Sequence, residues 1–366
     1  MPTRIALVTR PAVGGIRRHL HTLISGLQQA GWEPFLLAPP DFVLEGLSVL
    51  LYPMTFSLRQ NPPEHIRTVF QLSRRLQACA PQLVHAHGLW AALLTAPAAW
   101  RAQLPFVFTL HNLVPRLSAP QRLFFQWAAK RAGRIIAVSE AVAHSAEAAG
   151  IPSQWIKVIP NGIDPTPFLQ LPSRREARAQ LGLPLERPLV ASIGRLSKEK
   201  GFDVLLAAAR QLAMRAVPPL VVIAGDGPER ESLVQQASSL ENVRLLGPLP
   251  SVEPLYAAAD IVVIPSREEG QGIVAIEAMF ARKAIVATAV GGLMETLDRG
   301  RYGRLVPPED STALAEAIET LLGDPALREH SIEAAFQRAM ALYTADRMIA
   351  RHLTLYQELL PKKIFC

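Results

Sequence analysis

Cysteine is nearly absent. The chain of 366 residues has two, Cys79 and Cys366. One such pair makes no disulfide framework, and a reducing cytoplasm is the expected compartment. Long apolar runs are missing too. The run from Leu89 to Trp100 falls short of the roughly 18 residues a membrane span requires. No signal peptide is expected, because a strand-like segment, Arg4 to Thr9, starts almost at once. Acidic residues are scarce in one half only. Residues 1–165 hold 15 Lys and Arg against 7 Asp and Glu, and the remainder holds 23 against 24. The whole carries +7. A basic first half suggests an acidic partner or an anionic lipid surface. No nucleic-acid motif accompanies the basic balance, so no nucleic acid is expected. Metal-binding patterns are also lacking: there is no Asp-x-Asp triplet and no close-spaced set of His, Cys and Asp ligands. No metal and no cofactor are expected.

What is present is alternation. Short apolar runs bounded by glycine, proline or polar residues alternate with amphipathic segments along the chain. The strand-like runs of the first half are Arg4–Thr9, Glu33–Ala38, Ser48–Tyr52, Leu83–Ala86, Phe106–Leu110, Arg134–Val138 and Ile156–Ile159. Five prolines between Pro165 and Pro188 then read as an interdomain linker. The second half repeats the pattern from Leu189 to Val306. The chain is long enough for two cores. The alternation predicts two doubly wound α/β domains, with ligands at the carboxyl ends of the strands and a cleft joining the two halves.

Polar residues collect at those strand ends. Gly14 and Gly15 follow the first strand, but the full dinucleotide fingerprint is missing, so NAD is not expected. His85 and His87 end one strand and His111 follows another. His85 reads as structural, and His87 and His111 as functional candidates. Ser139 reads as a helix cap.

The densest stretch is Ser266 to Met279, after the apolar run Ile261 to Ile264. It carries Glu269 and Glu277, with Gly270 and Gly272 between them. A strand, a glycine turn and a helix together present unpaired N–H groups to an anion. Carboxylates beside an anion site suit a ligand that also bears hydroxyls. A nucleoside-diphosphate sugar has both. The competing reading is a plain helix start whose acidic residues complement the dipole.

Several motifs occur in a fixed order: Gly194-Arg195-Leu196 with Lys200-Gly201, then Gly225-Asp226-Gly227-Pro228, then Glu269 and Glu277, then Gly291-Gly292-Leu293-Met294-Glu295. With Gly14-Gly15 and Pro160-Asn161-Gly162-Ile163-Asp164, the whole chain resembles the retaining GT-B glycosyltransferases of family 4. The resemblance implies two Rossmann-like domains facing across a cleft. Residues 1–168 would form an acceptor-binding domain and residues 185–342 a nucleotide-sugar-binding domain. A last helix within 343–366 would pack back on the first.

It also implies roles. Arg195 and Lys200 bind the donor diphosphate, Glu277 the ribose and Glu269 the transferred sugar. Gly270, Gln271, Gly272 and Ile273 contact sugar and phosphate through the backbone. Gly14 and Gly15 approach the phosphate, and Gly225, Asp226, Gly227 and Leu246 lie near the base. His111 stands beside the sugar, and His87 and Asn161 on the acceptor side. Gln271 is a departure, since an aromatic residue often stands there. The implied reaction moves a sugar from a UDP- or GDP-sugar to the hydroxyl of a glycan, lipid-linked or small-molecule acceptor, with retention and without a metal.

Three other classes remain: a degenerate fold that binds without transfer, a nucleic-acid binder, and a sugar-nucleotide 2-epimerase. The basic segment Arg116 to Arg134 carries Leu123, Phe124, Phe125 and Trp127. It suits either an ordinary core helix or a helix on an anionic membrane, and so a protein peripheral at the inner face of the membrane.

Overall fold

The computed structural model describes residues 2–11, 14–56, 62–330 and 332–360. Cys366 lies outside them, and Cys79 is a buried free thiol. The chain forms two compact units, Met1–Gly162 with Ala345–Cys366, and Ile163–Thr344.

The first unit is built on seven strands: β1 (Arg4–Thr9), β2 (Glu33–Ala38), β3 (Leu50–Pro53), β4 (Leu83–His87), β5 (Phe106–Leu110), β6 (Arg134–Ala137) and β7 (Ile156–Val158). Their order is β3-β2-β1-β4-β5-β6-β7, all parallel. The apolar runs explain the parallel pairing, because a sheet covered on both faces needs strands apolar on both sides. In β1, Ile5 and Leu7 enter one core while Ala6 and Val8 enter the core on the opposite face. The order reverses between β1 and β4, and at their carboxyl ends Thr9 lies opposite His87, which in turn lies opposite Thr109 of β5.

The second unit has six strands: β8 (Leu189–Ile193), β9 (Leu220–Ala224), β10 (Val243–Gly247), β11 (Ile261–Ile264), β12 (Ala284–Thr288) and β13 (Arg304–Val306). The order β10-β9-β8-β11-β12-β13 repeats the plan, again parallel, and reverses between β8 and β11. Such reversal points open a crevice at the carboxyl edge of a sheet.

The helix Ala345–Leu359 belongs to the first unit. Its buried residues Met348, His352, Leu355 and Tyr356 form one stripe at helical spacing. Met348, Leu355 and Tyr356 share a core with Leu20, Leu23 and Leu27 of the helix Gly15–Gln29. The two helices meet at Gly26, where an added Cβ would stand 2.1 Å from Ile349 Cδ1.

The helix Ala119–Arg131 buries only part of its apolar surface. Phe125 is buried in the core, but Leu123 is 66% exposed and Phe124 41%. Trp127 is partly buried, and the Arg131 guanidinium lies 4.9 Å from the Trp100 ring and 5.4 Å from that of Trp127. Among the described residues, no helix is long and apolar enough to cross a membrane.

The proline-rich stretch is bound into the second unit and is more than a connector. Ser173 caps the helix Arg174–Gln180 in a reciprocal pair with Glu176. Phe168, Ala177 and Leu183 enter the core. Arg178 is fully buried, and its guanidinium donates to the carbonyls of Ala258, Pro184, Leu185 and Arg187 and to Asp260 Oδ2 at 3.0 Å. Asp260 also accepts from the backbone N–H of Leu189 at 2.8 Å, which ties this stretch to the start of β8. Arg178→Ala would strand those acceptors in the interior. We expect it to destabilise the chain by about 3–5 kcal/mol, the range for breaking a buried pair from one side. Denaturant unfolding checks this, and a loss below about 1 kcal/mol would contradict it.

Candidate active site

In the second unit, two loops at the reversal point are fastened together. The loop after β8 carries Arg195 and one 3-10 turn, Lys198–Lys200. The loop after β11 carries Ser266 to Gly272. Lys200 Nζ donates to Glu269 Oε2 at 2.7 Å, and Ser266 Oγ donates to the same oxygen at 3.2 Å. Arg267 does most of the fastening. Its backbone N–H donates to the carbonyl of Glu199 at 2.8 Å and its Nη1 to that of Lys198 at 2.7 Å. Its guanidinium also grips Asp203 through both oxygens, at 2.8 Å each, and reaches Glu309. These partners raise the Arg267 pKa and hold the Asp203 and Glu309 carboxyls below their usual range.

A third loop closes on the second. The N–H of Gly292 donates to the carbonyl of Glu269 at 3.0 Å. A Cβ at Gly291 would stand 2.1 Å from that oxygen, and one at Gly292 2.2 Å from the oxygen of Gly270. The glycine pair therefore lets backbone lie on backbone. Gly225 does the same on the other side, where a Cβ would fall 1.8 Å from the carbonyl oxygen of Gly194.

The other sequence candidates of this unit lie on the same strand ends. Arg195 and Asp226 are exposed, Leu246 is half-buried at the end of β10, and Gln271 is buried. Gly272 caps the helix Ile273–Phe280, whose N-terminus completes the loop. Glu277 sits in that helix, almost wholly buried, and accepts from the Tyr256 hydroxyl at 2.6 Å. Lys200 and Glu269, which the sequence assigns to phosphate and sugar separately, touch each other. An ammonium has three donors, so Lys200 can keep Glu269 and still reach an anion.

In the first unit, the candidates converge on a group of histidines. Gly14 and Gly15 are exposed at the start of the helix Gly15–Gln29, with Gly14 at φ 62°. His87 Nδ1 lies 3.3 Å from His111 Nε2. Asn161 Oδ1 accepts from His19 Nδ1 at 2.8 Å. His85 is set between the Tyr356 hydroxyl at 2.6 Å and Thr109 Oγ1 at 2.7 Å. His352 Nδ1 donates to the carbonyl of Met348 at 2.8 Å. All five rings are buried. Burial lowers each pKa, with neighbouring imidazoles adding to it for His19, His85, His87 and His111; that of His111 falls to about 3 and that of His352 to about 4. At neutral pH they are neutral imidazoles with lone pairs to offer. The sequence shows no close-spaced ligand set, yet folding brings ring nitrogens of His19, His87 and His111 within 4.8 Å of one another.

Four contributors had no sequence signal. Arg267 and Ser266 lie inside the densest stretch, but nothing in their spacing sets them apart. Tyr256 and His19 reach their partners only through the fold.

Two family models cover most of the chain. Residues 13–167 match Glycosyltransferase Family 4, and residues 173–338 match Glycosyl transferases group 1. The alpha-D-kanosaminyltransferase of Streptomyces kanamyceticus is 35% identical over 191 residues, 51% of this chain and 49% of that protein. The chain thus spans about half the length of that relative. The phosphatidyl-myo-inositol mannosyltransferase of Mycolicibacterium smegmatis is 31% identical over 342 residues, 89% of this chain and 85% of that one. Among solved structures, Anabaena Alr3699/HepE in complex with UDP-glucose is 26% identical with a TM-score of 0.86, covering 97% of this chain and 100% of that one. The two parallel sheets, the order of the motifs and these matches together show that the chain belongs to the GT-B glycosyltransferases of family 4, a retaining family.

Proposed function

We propose that the protein is a retaining glycosyltransferase that moves a hexosyl or N-acetylhexosaminyl group from a nucleoside-diphosphate sugar to an acceptor hydroxyl. The observation that carries this reading is the Lys200–Glu269 pair beside a helix N-terminus, at the reversal point of the second sheet. Lys200 and Arg195 would neutralise the diphosphate, with the N–H groups at Gly272 and Ile273 aimed at the same charge. Glu269 would accept from hydroxyls of the sugar. Glu277, already bonded to Tyr256, would offer its carboxylate to the ribose. In a front-face reaction the sugar–phosphate bond breaks while the acceptor oxygen bonds the same face of the anomeric carbon. The acceptor proton passes to the leaving phosphate oxygen. The cations and the helix N-terminus stabilise the charge that develops there, so no metal cofactor is required. A UDP-sugar is favoured over a GDP-sugar by the likeness to HepE, which was solved with UDP-glucose.

Lys200→Ala removes a cation aimed at that developing charge. By comparison with deleting one such donor, turnover should fall by about 10²–10³-fold. Release of UDP from a panel of UDP-sugars, with the anomer of the product read by NMR, checks both rate and stereochemistry. Near-normal turnover in the variant would remove Lys200 from the diphosphate.

The acceptor belongs on our reading to the first unit, and a lipid-linked acceptor suits it best, in cell-surface polysaccharide or glycolipid synthesis. The helix Ala119–Arg131 leaves Leu123 and Phe124 exposed beside Arg122, Lys130 and Arg131, all exposed. Apolar residues ringed by cations suit the interface of an anionic bilayer. Vesicles with anionic lipid should sediment the protein at low salt, and Leu123→Ser with Phe124→Ser should weaken this. Equal recovery with neutral and anionic vesicles would sink the membrane contact.

A further inference from the structure

The buried histidines of the first unit hold more than a positioning network requires. His87 Nδ1 and His111 Nε2 are 3.3 Å apart, long for a hydrogen bond between ring nitrogens. That spacing matches something else. Zinc–imidazole bonds of 2.0–2.1 Å in a tetrahedron place neighbouring nitrogens about 3.3–3.4 Å apart. The third ring, His19, has a ring nitrogen within 4.8 Å of ring nitrogens of the other two. Its Nδ1–H is committed to Asn161 Oδ1 at 2.8 Å, which leaves the lone pair on Nε2. Such an outer partner fixes the tautomer of metal-bound histidines. His19 Nε2 is buried and has no hydrogen-bond partner among the described residues. An unsatisfied buried nitrogen costs free energy that a ligand would recover.

We propose that His19, His87 and His111 form a three-histidine site for a divalent transition metal of the zinc type. Imidazoles suit Zn²⁺, Cu²⁺ and Ni²⁺, whereas Mg²⁺ and Ca²⁺ demand oxygen ligands that the three rings do not supply. The fourth position falls to water, hydroxide or an anion, admitted on the side of His111, which is the most exposed of the three at 8%. The three ligand nitrogens lie within 4.8 Å of one another, and metal binding would draw them closer.

The test uses the full chain, stripped with chelator and titrated with Co²⁺ and with Zn²⁺. One Co²⁺ per chain is expected, with the strong visible absorption of four- or five-coordinate cobalt. X-ray absorption of the Zn²⁺-loaded wild type should show a first shell containing three imidazole nitrogens at about 2.0–2.1 Å. His19→Gln and His87→Gln should each weaken Co²⁺ by more than about tenfold, because losing even an outer partner costs that much. His144→Gln, on the surface, should change nothing. Binding that survives both variants, or a zinc shell with fewer than three imidazoles, overturns the proposal. The wild-type X-ray measurement decides the matter even if a variant fails to fold. UDP binding, which we assign to the second unit, is followed separately, so failure of the metal site and failure of the transferase reading cannot be confused.

Discussion

The second unit depends on a joint between two loops. Arg267 holds both carboxylate oxygens of Asp203 and two neighbouring carbonyl groups, and so fixes the turn Lys198–Lys200 against the loop Ser266–Gly272. The Lys200–Glu269 contact exists because the joint exists. The glycine pair Gly291-Gly292 holds the second loop from behind. Ion pairs near a protein surface contribute little to stability as a rule. The value of this one lies in geometry, because a cation and a carboxylate set side by side can take the anionic and hydroxyl parts of one ligand.

The first unit uses burial in place of ion pairing. Five imidazoles and a tyrosine are packed where solvent is excluded, and all five rings are held neutral. The helix Ala345–Leu359 delivers two of these groups, His352 and Tyr356, from the far end of the chain. The end of the sequence therefore shapes the strand ends where β4 and β5 deliver His87 and His111.

Much of the fold was legible because parallel strands covered on both faces must be apolar throughout, and twelve or so such runs stand out. The order of the glycine and acidic motifs was legible as well, and with it the family. Side-chain partnerships were not. Glu277 meets Tyr256 across 21 residues, and Arg178 meets Asp260 across 82. His19 is one polar residue in an amphipathic helix until folding sets it against His111, with ring centroids 4.7 Å apart. The prolines between Pro165 and Pro188 suggested an interdomain linker carrying one short helix between Ser173 and Leu181, and that helix is present as Arg174–Gln180. The stretch is ordered by one buried arginine that collects its carbonyls. Spacing along a sequence reports neighbours on one element, whereas these contacts join elements.

The central claim is that the joined loops after β8 and β11 form the diphosphate site. Calorimetric titration of UDP into the wild type and into Arg267→Met tests it most directly. The account predicts binding by the wild type and about a tenfold loss in the variant, equal to about 1.4 kcal/mol, with little change in thermal stability. Equal affinity in the two proteins, or no binding of UDP by the wild type, would contradict it.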